Sequence, residues 1–126
     1  MILVFSVKNY LSFKNKATFC MLANSYKGLD DNYVEINDKK ILKTAAIYGA
    51  NASGKSNLFK ILTYIILMLR TSNNNDINAK LPIVPFKFDN ECLNKPSEFE
   101  IKFVVDEIRY VYGFIADKDK IYDEYL

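Results

Sequence analysis

The chain has 126 residues, the size of one ordinary domain, and at this length about two thirds of the surface of the unfolded chain is buried on folding. Half of the residues are hydrophobic and a quarter are charged, which is typical of globular proteins. The net charge of +2 is too close to neutral to indicate nucleic-acid or membrane binding by itself, and the chain has no histidine to complete a metal site with its two cysteines.

The cysteines and apolar stretches bear on the cellular compartment. Cys20 and Cys92 lie far apart without a CxxC pair, so we expect two buried free thiols, which suit a reducing cytoplasm. The first ten residues lack the positive region and the cleavage site of a signal peptide. The most apolar stretch, 61–69, has about half of the length that a membrane crossing needs. We therefore expect a soluble cytoplasmic protein.

The first seventy residues alternate between strand-like and helix-like patterns. Residues 2–8 and 16–22 predict a hairpin with a long loop, and residues 33–36 predict a brief strand. Residues 45–48 form an uninterrupted apolar run, as expected of a buried, parallel strand. Residues 55–70 contain no glycine or proline and are apolar all round, which predicts a helix that is buried on most sides.

The remaining residues predict antiparallel strands. Residues 71–80 are polar and predict a solvated loop, and the prolines at 82–85 predict an irregular or edge strand. Residues 99–103 and 108–114 alternate between apolar and polar positions, which predicts a β-hairpin with one solvated face. Residues 121–126 resemble the beginning of another strand.

A phosphate-binding pattern lies between the apolar run and the helix. Residues 49–56, "GANASGKS", fit G-x-x-x-x-G-K-[ST], and a strand before it with a helix after it is the context that this motif requires. The alternative is a glycine-rich turn whose lysine is solvated. The residues that we expect to bind the nucleotide phosphates are Gly49, Ala50, Asn51, Ala52, Ser53, Gly54, Lys55, Ser56 and Asn57.

The chemistry of a phosphate chain explains these residue types. Gly49 and Gly54 let the backbone curl and approach the phosphates closely. The amides of residues 51–56 can then point inward, and the helix N-terminus adds a partial positive charge. Lys55 would supply a full charge to the β- and γ-phosphates, and Ser56 a hydroxyl ligand for Mg²⁺.

Two segments carry a family resemblance. "IYGANASGKSN" resembles the phosphate loop of ABC-type ATPases of the SMC and RecF branch, and "FSVKNYLSFKN" resembles the hairpin that opens those proteins. The segment from "PFKFDN" to "VYGF" is similar to the antiparallel β-subdomain of bacterial AAA family ATPases. That group includes overcoming-lysogenisation-defect-like and RloC-like proteins, many of them from anti-phage defence operons.

The resemblance implies an α/β P-loop NTPase fold. Residues 1–126 would form the N-terminal portion of an ABC-type ATPase head, with a mixed sheet, an antiparallel β-subdomain and one buried helix after the phosphate loop. Within it, residues 1–70 would hold strands, phosphate loop and helix, residues 71–80 a polar loop, and residues 81–126 the β-subdomain. Because such proteins run far longer, we expect a truncated reading frame, a split gene or a fragment.

The resemblance also implies ligands and partners. ATP and Mg²⁺ would be the cofactors, and in complete relatives two heads enclose two nucleotides and drive a nuclease or DNA-handling domain. DNA contact follows from this analogy alone. Leu11 stands where relatives often carry arginine. Phe13 and Lys14 are candidates for the adenine or ribose side, although a strand residue and a surface lysine explain them equally well.

The residues for hydrolysis are harder to find. Asp106 and Glu107 follow an apolar run and imitate a Walker B strand, but Lys102 interrupts that run and the alternation resumes at Ile108, which favours a hairpin turn. The chain also has no LSGGQ-like signature and no switch histidine. We therefore expect this chain to bind ATP with little turnover.

Two other functions stay open from the sequence. One is a small P-loop kinase or GTPase in which Asp106 and Glu107 act, although the chain has no N-K-x-D phrase and only two arginines. The other is a non-catalytic β-rich interaction module in which the loop is vestigial.

Overall fold

The computed structural model describes residues 1–24, 30–71 and 80–126. Most of these residues lie in short strands and one long helix. In chain order the elements are β1 (Ile2–Lys8), β2 (Ala17–Cys20), a 3-10 turn (Asp30–Asn32), β3 (Tyr33–Ile36), β4 (Lys39–Leu42), α1 (Lys55–Thr71), α2 (Asn90–Leu93), β5 (Ser97–Val105), β6 (Ile108–Ala116) and β7 (Ile121–Tyr125).

A five-stranded sheet forms the centre of the molecule. Its strand order is β2-β1-β5-β6-β7, and a separate two-stranded sheet consists of β3 and β4. Throughout the described ranges every strand pairing is antiparallel. The predicted hairpins at the chain start and at β5–β6 are confirmed. In place of the expected mixed sheet, the strands of this part of the chain form antiparallel ladders only.

Helix α1 covers one face of the large sheet. Alternation along β5 and β6 turns Phe99, Ile101 and Phe114 towards the helix, and Phe99 and Phe114 stack with ring centroids 4.6 Å apart. Tyr64 of α1 meets both rings edge-on, at 5.5 and 5.9 Å. This aromatic cluster, with the fully buried Ile61 and Ile65, forms the main core.

The β3–β4 hairpin covers part of the opposite sheet face. Leu3, Ile41 and Val104 form a second buried cluster there. Main-chain hydrogen bonds tie the hairpin to the segment after β2, since the Leu42 amide donates to the Met21 carbonyl at 2.8 Å. The exposed remainder of this face corresponds to the solvated face that the alternation predicts.

Three expectations from the sequence are wrong. Residues 45–48 form no strand and are largely exposed, with Tyr48 91% accessible, because the sheet of the described chain grows from β1 and β5 and offers no strand beside this run. Helix α1 is buried along a single stripe, and Phe59 on its outer side is 61% exposed. Both cysteines are free, but only Cys92 is buried, since Cys20 lies on the edge strand β2.

Other expectations have mixed outcomes. The polar loop predicted at 71–80 lies, for residues 72–79, outside the described residues. The segment 81–89 is irregular, as the prolines indicate, whereas β4 and the short α2 were not predicted. In the ranges that the structure describes, no helix has the length and hydrophobicity to span a bilayer.

Candidate phosphate-binding site

The glycine-rich loop leads directly into the longest helix. Its chain curls with Ala52 and Gly54 at positive φ (62° and 93°), and the Ser53 amide donates to the Ala50 carbonyl at 3.3 Å. The Gly54 carbonyl then accepts from the Asn57 and Leu58 amides at 3.0 and 3.1 Å, which opens α1. The amides of Lys55 and Ser56 precede these bonds at the start of α1, where the first N–H groups of a helix have no intrahelical partners.

Two features of the loop favour glycine at position 54. At φ +93° an L side chain is strained, and an added Cβ would lie 2.8 Å from Ser12 Oγ. At Gly49 the obstacle is smaller, because a Cβ there would meet the Ser53 hydroxyl, at 2.7 Å, which can rotate away. The close approach at Gly54 brings the β1–β2 turn against the loop.

Positive charge is concentrated at this loop. The Lys55 ammonium donates to the Gly49 and Ala50 carbonyls, each at 2.6 Å, and so bridges the loop. No carboxylate of the described residues forms an ion pair with it, and the first turn of α1 contains no acidic residue. The helix dipole and the ammonium therefore add at one place, which favours an anion.

An open concavity of about 450 Å³ lies over the same residues. It is lined by the consecutive residues 51–57. Ser56 is exposed at its edge, while the Asn57 amide nitrogen donates to Ser12 Oγ at 3.1 Å. The nine residues that the pattern singles out thus lie in one continuous curl with solvent access.

Phe13 and Lys14 lie on the β1–β2 turn, and their side chains contact different parts of the molecule. The Phe13 ring reaches the loop, with Cζ 3.8 Å from the position of a Gly54 Cβ. Lys14 instead pairs with Asp89, Nζ to Oδ2 2.5 Å, in front of α2. This hydrogen bond raises the pKa of Lys14 and lowers the pKa of Asp89. Only Phe13 of the two borders the loop.

Asp106 and Glu107 form the turn between β5 and β6. Both have positive φ (49° and 64°), as in the two-residue hairpin turns that match strand twist. The Asn37 side chain donates to the Glu107 carbonyl at 2.7 Å, so this turn meets the β3–β4 turn. The predicted hairpin turn is confirmed, and neither the kinase nor the GTPase hypothesis gains support from this placement.

Sequence reasoning missed two residues near the loop. Ser12 contacts both Gly54 and Asn57, and Asn9 is a buried anchor of the same turn. The only sequence signal for them is their position in the "NYLS" phrase between the two predicted strands. The contact of Ser12 with the loop spans 45 residues of chain, and the contacts of Asn9 with the segment around α2 span more than seventy, which no local pattern reports.

Comparison with known proteins gives one family. The family model described as "AAA domain, putative AbiEii toxin, Type IV TA system" matches residues 45–125. The match begins at the apolar run before the loop and ends in β7. No curated protein and no solved structure gives a match.

Proposed function

Because the chain belongs to the AAA-domain family described as putative AbiEii toxin, type IV TA system, which indicates a P-loop NTPase fold and an ATPase-like function, we propose that residues 49–57 bind ATP with Mg²⁺. The observation that supports the proposal best is the unneutralised Lys55 ammonium at the start of a 17-residue helix, beneath an open concavity. An anionic phosphate chain is the ligand that such a site favours.

Each residue type would have a separate role in binding. Lys55 would exchange its two carbonyl partners for phosphate oxygens, whose negative charge adds Coulomb attraction to the hydrogen bonds. The curled backbone would present its amides to the same phosphates. The exposed Ser56 hydroxyl is of the type that ligates Mg²⁺, whose role when bound is to neutralise phosphate charge. The residues present therefore fit this cofactor pair.

We further propose that the chain is the N-terminal part of an ABC-type head of the SMC and RecF branch. The support is the exposed run at 45–48, which has strand-forming residues but no strand beside it in the described chain. A cleft of about 180 Å³ next to it is lined largely by apolar side chains, including Phe19, Phe59 and Leu62. The remainder of the head, in the same polypeptide or a second one, would supply the missing strands.

Within this proposal the chain binds ATP and turns it over slowly. Asp106 and Glu107 lie in a hairpin turn, and the other adjacent acidic pairs of the sequence, Asp30–Asp31 and Asp123–Glu124, follow at most two apolar residues, fewer than a Walker B strand has. An ATP-dependent dimer of completed heads, coupled to a nuclease or to DNA handling as in anti-phage systems, is the corresponding activity of the whole assembly. Its DNA contact rests on resemblance alone.

Ligand-induced thermal stabilisation tests the binding step. A ligand at a hundred times its Kd adds about 2.7 kcal/mol to the stability of the folded state. We expect ATP with Mg²⁺ to raise the Tm of the chain and Lys55→Ala to remove that shift. Lys60→Ala is the matched control, because Lys60 is an exposed lysine five residues further along α1. Equal shifts in both variants would refute the proposed site.

A further inference from the structure

The β1–β2 turn is more firmly held than a surface loop. The Tyr10 and Phe13 amides each donate to the other residue's carbonyl, at 3.1 and 2.9 Å, and Leu11 adopts a positive φ of 51° between them. The Leu11 amide donates outward to the Val84 carbonyl at 2.9 Å. The turn is thus closed on itself and tied to the segment before α2.

Asn9 anchors this turn from beneath. Its side chain is 4% exposed, and its Nδ2 donates to the Cys92 and Lys95 carbonyls at 2.9 Å. Its Oδ1 accepts from the Phe86 amide at 3.1 Å. A buried amide with its donors and acceptor satisfied fixes the chain around it, because any displacement leaves polar groups unpaired. The position of the next residues in the turn is therefore determined.

Ser12 projects from this turn onto the phosphate loop. Its hydroxyl oxygen accepts from Asn57 Nδ2 at 3.1 Å, and it lies 2.8 Å from where a Cβ of Gly54 would be. The loop itself has few internal bonds: the Ser53 amide has a long 3.3 Å bond to Ala50, and Lys55 holds two carbonyls. The hydrogen bond from Asn57 to Ser12 joins the loop's helical end to the anchored turn, and the Phe13 ring packs beside it at Gly54.

We propose that Ser12 is a positioning residue for the phosphate loop. It holds Asn57 at the first turn of α1 and closes the space beside Gly54, so that the loop keeps its curled, phosphate-binding conformation before the nucleotide arrives. This proposal rests on the proposed function, since it concerns how the same site is preorganised.

The expected effect follows from one hydrogen bond. Ser12→Ala removes the oxygen that accepts from Asn57 and keeps the Cβ. One intramolecular hydrogen bond corresponds to a weakening of ATP binding of about 3- to 10-fold. Because the turn is held by Asn9 and by main-chain bonds, the nucleotide-free Tm is expected to stay nearly unchanged.

A double-mutant cycle distinguishes positioning from a general structural role. The Kd for ATP with Mg²⁺ is measured for wild type, Ser12→Ala, Asn57→Ala and the double variant, well below the Tm. We expect Ser12→Ala to weaken binding in the wild type and to change it by less than about 1.5-fold when Asn57 is already alanine. Thr63→Ala is the control, because that hydroxyl donates to the Phe59 carbonyl of its own helix, away from the Ser12 contact.

Hydrogen exchange provides a readout that needs no nucleotide. In the free chain, Ser12→Ala is expected to speed exchange of the Asn57 and Leu58 amides, which bond to Gly54. Unchanged exchange, or the same loss of affinity in both backgrounds of the cycle, would overturn the proposal for Ser12. If exchange rises in a chain that binds no ATP, the positioning role stands and the proposed function fails. If Lys55→Ala abolishes ATP binding and Ser12→Ala has no effect on binding or exchange, the proposed function stands and the positioning role of Ser12 fails.

Discussion

Replacing Gly54 by alanine separates backbone strain in the phosphate loop from the loss of a glycine as such. At φ +93° an L residue lies in the left-handed half of conformational space, and its Cβ would approach Ser12 Oγ to 2.8 Å. Gly49→Ala is the matched control. Gly49 is not among the residues at positive φ, and the one contact of its Cβ below 3 Å would be with the rotatable Ser53 hydroxyl, at 2.7 Å.

The two changes differ in magnitude for stated reasons. A positive φ costs an L residue about 1–2 kcal/mol, and the added Cβ would also crowd the Ser12 hydroxyl oxygen at 2.8 Å. Because the loop can relax locally, we expect Gly54→Ala to lower the free energy of unfolding by about 1–2 kcal/mol. For Gly49→Ala we expect a loss below about 0.5 kcal/mol, since a hydroxyl rotation relieves the contact.

Calorimetry of the nucleotide-free chain measures this difference. Gly54→Ala is expected to lower the Tm by about 4–8 °C, and Gly49→Ala by no more than about 2 °C. If strain is relieved by distorting the loop, ATP affinity falls with it, by about 5- to 30-fold for the same 1–2 kcal/mol. Equal Tm values for the two variants would show that Gly54 is not held in the left-handed conformation against Ser12, and the described loop geometry would be wrong.

Three further changes test the parts of the fold that support the site. Asn9→Ala should lower the free energy of unfolding by about 2–4 kcal/mol in urea titrations, because it leaves buried carbonyls unpaired. Gly113→Ala should destabilise the chain, since its Cβ would lie 2.3 Å from the Tyr125 hydroxyl oxygen, and a Tyr125→Ala background should relieve most of that loss. The Lys14 hydrogen bond lowers the pKa of Asp89, so it stabilises the fold above the ordinary carboxyl pKa of about 4 and this contribution is lost as the pH falls through the lowered value. The stability difference between wild type and Asp89→Asn should therefore shrink on acidification, and a difference independent of pH would contradict the ion pair.

Local patterns in the sequence were enough for the hairpins and the helix. Period-two alternation over nine residues in β5 and β6 leaves one register that buries a whole face. The missed strand β4 also had a signal in the sequence, the adjacent Asn37 and Asp38. Asn and Asp tolerate the positive φ that two-residue hairpin turns require, and both residues adopt it in the structure. Its four residues, two of them lysines, were simply too few and too polar to suggest a strand on their own.

Some residues of the candidate site could likewise be predicted from local sequence patterns, and others could not. The glycine spacing and Lys55 locate the loop, since each residue type follows from the chemistry of phosphate binding at consecutive positions. Ser12 and Asn9 could not be identified from local sequence patterns, because their roles depend on contacts across 45 and more than 80 residues of chain. The partner of Lys14 was equally hidden, since Asp89 becomes its neighbour only when the segment before α2 packs against the β1–β2 turn.

The strand that was wrongly predicted at residues 45–48 is the segment that leads into the phosphate loop. A segment forms a β-strand only when its backbone pairs with a neighbouring strand. The apolar run at 45–48 has no such neighbour among the described residues, and Tyr48 is 91% exposed. Phe59 is 61% exposed, so covering it with a partner strand would contribute about 1–2 kcal/mol, and covering the apolar part of the Tyr48 ring would add to this. Because this run leads directly into Gly49, we expect a partner strand that fixes the run to fix the loop as well. If the partner raises the affinity for nucleotide in this way, linkage requires that bound nucleotide raise the affinity for the partner by the same factor. Within the proposed ATPase head, nucleotide binding and completion of the sheet are therefore two coupled equilibria of one site.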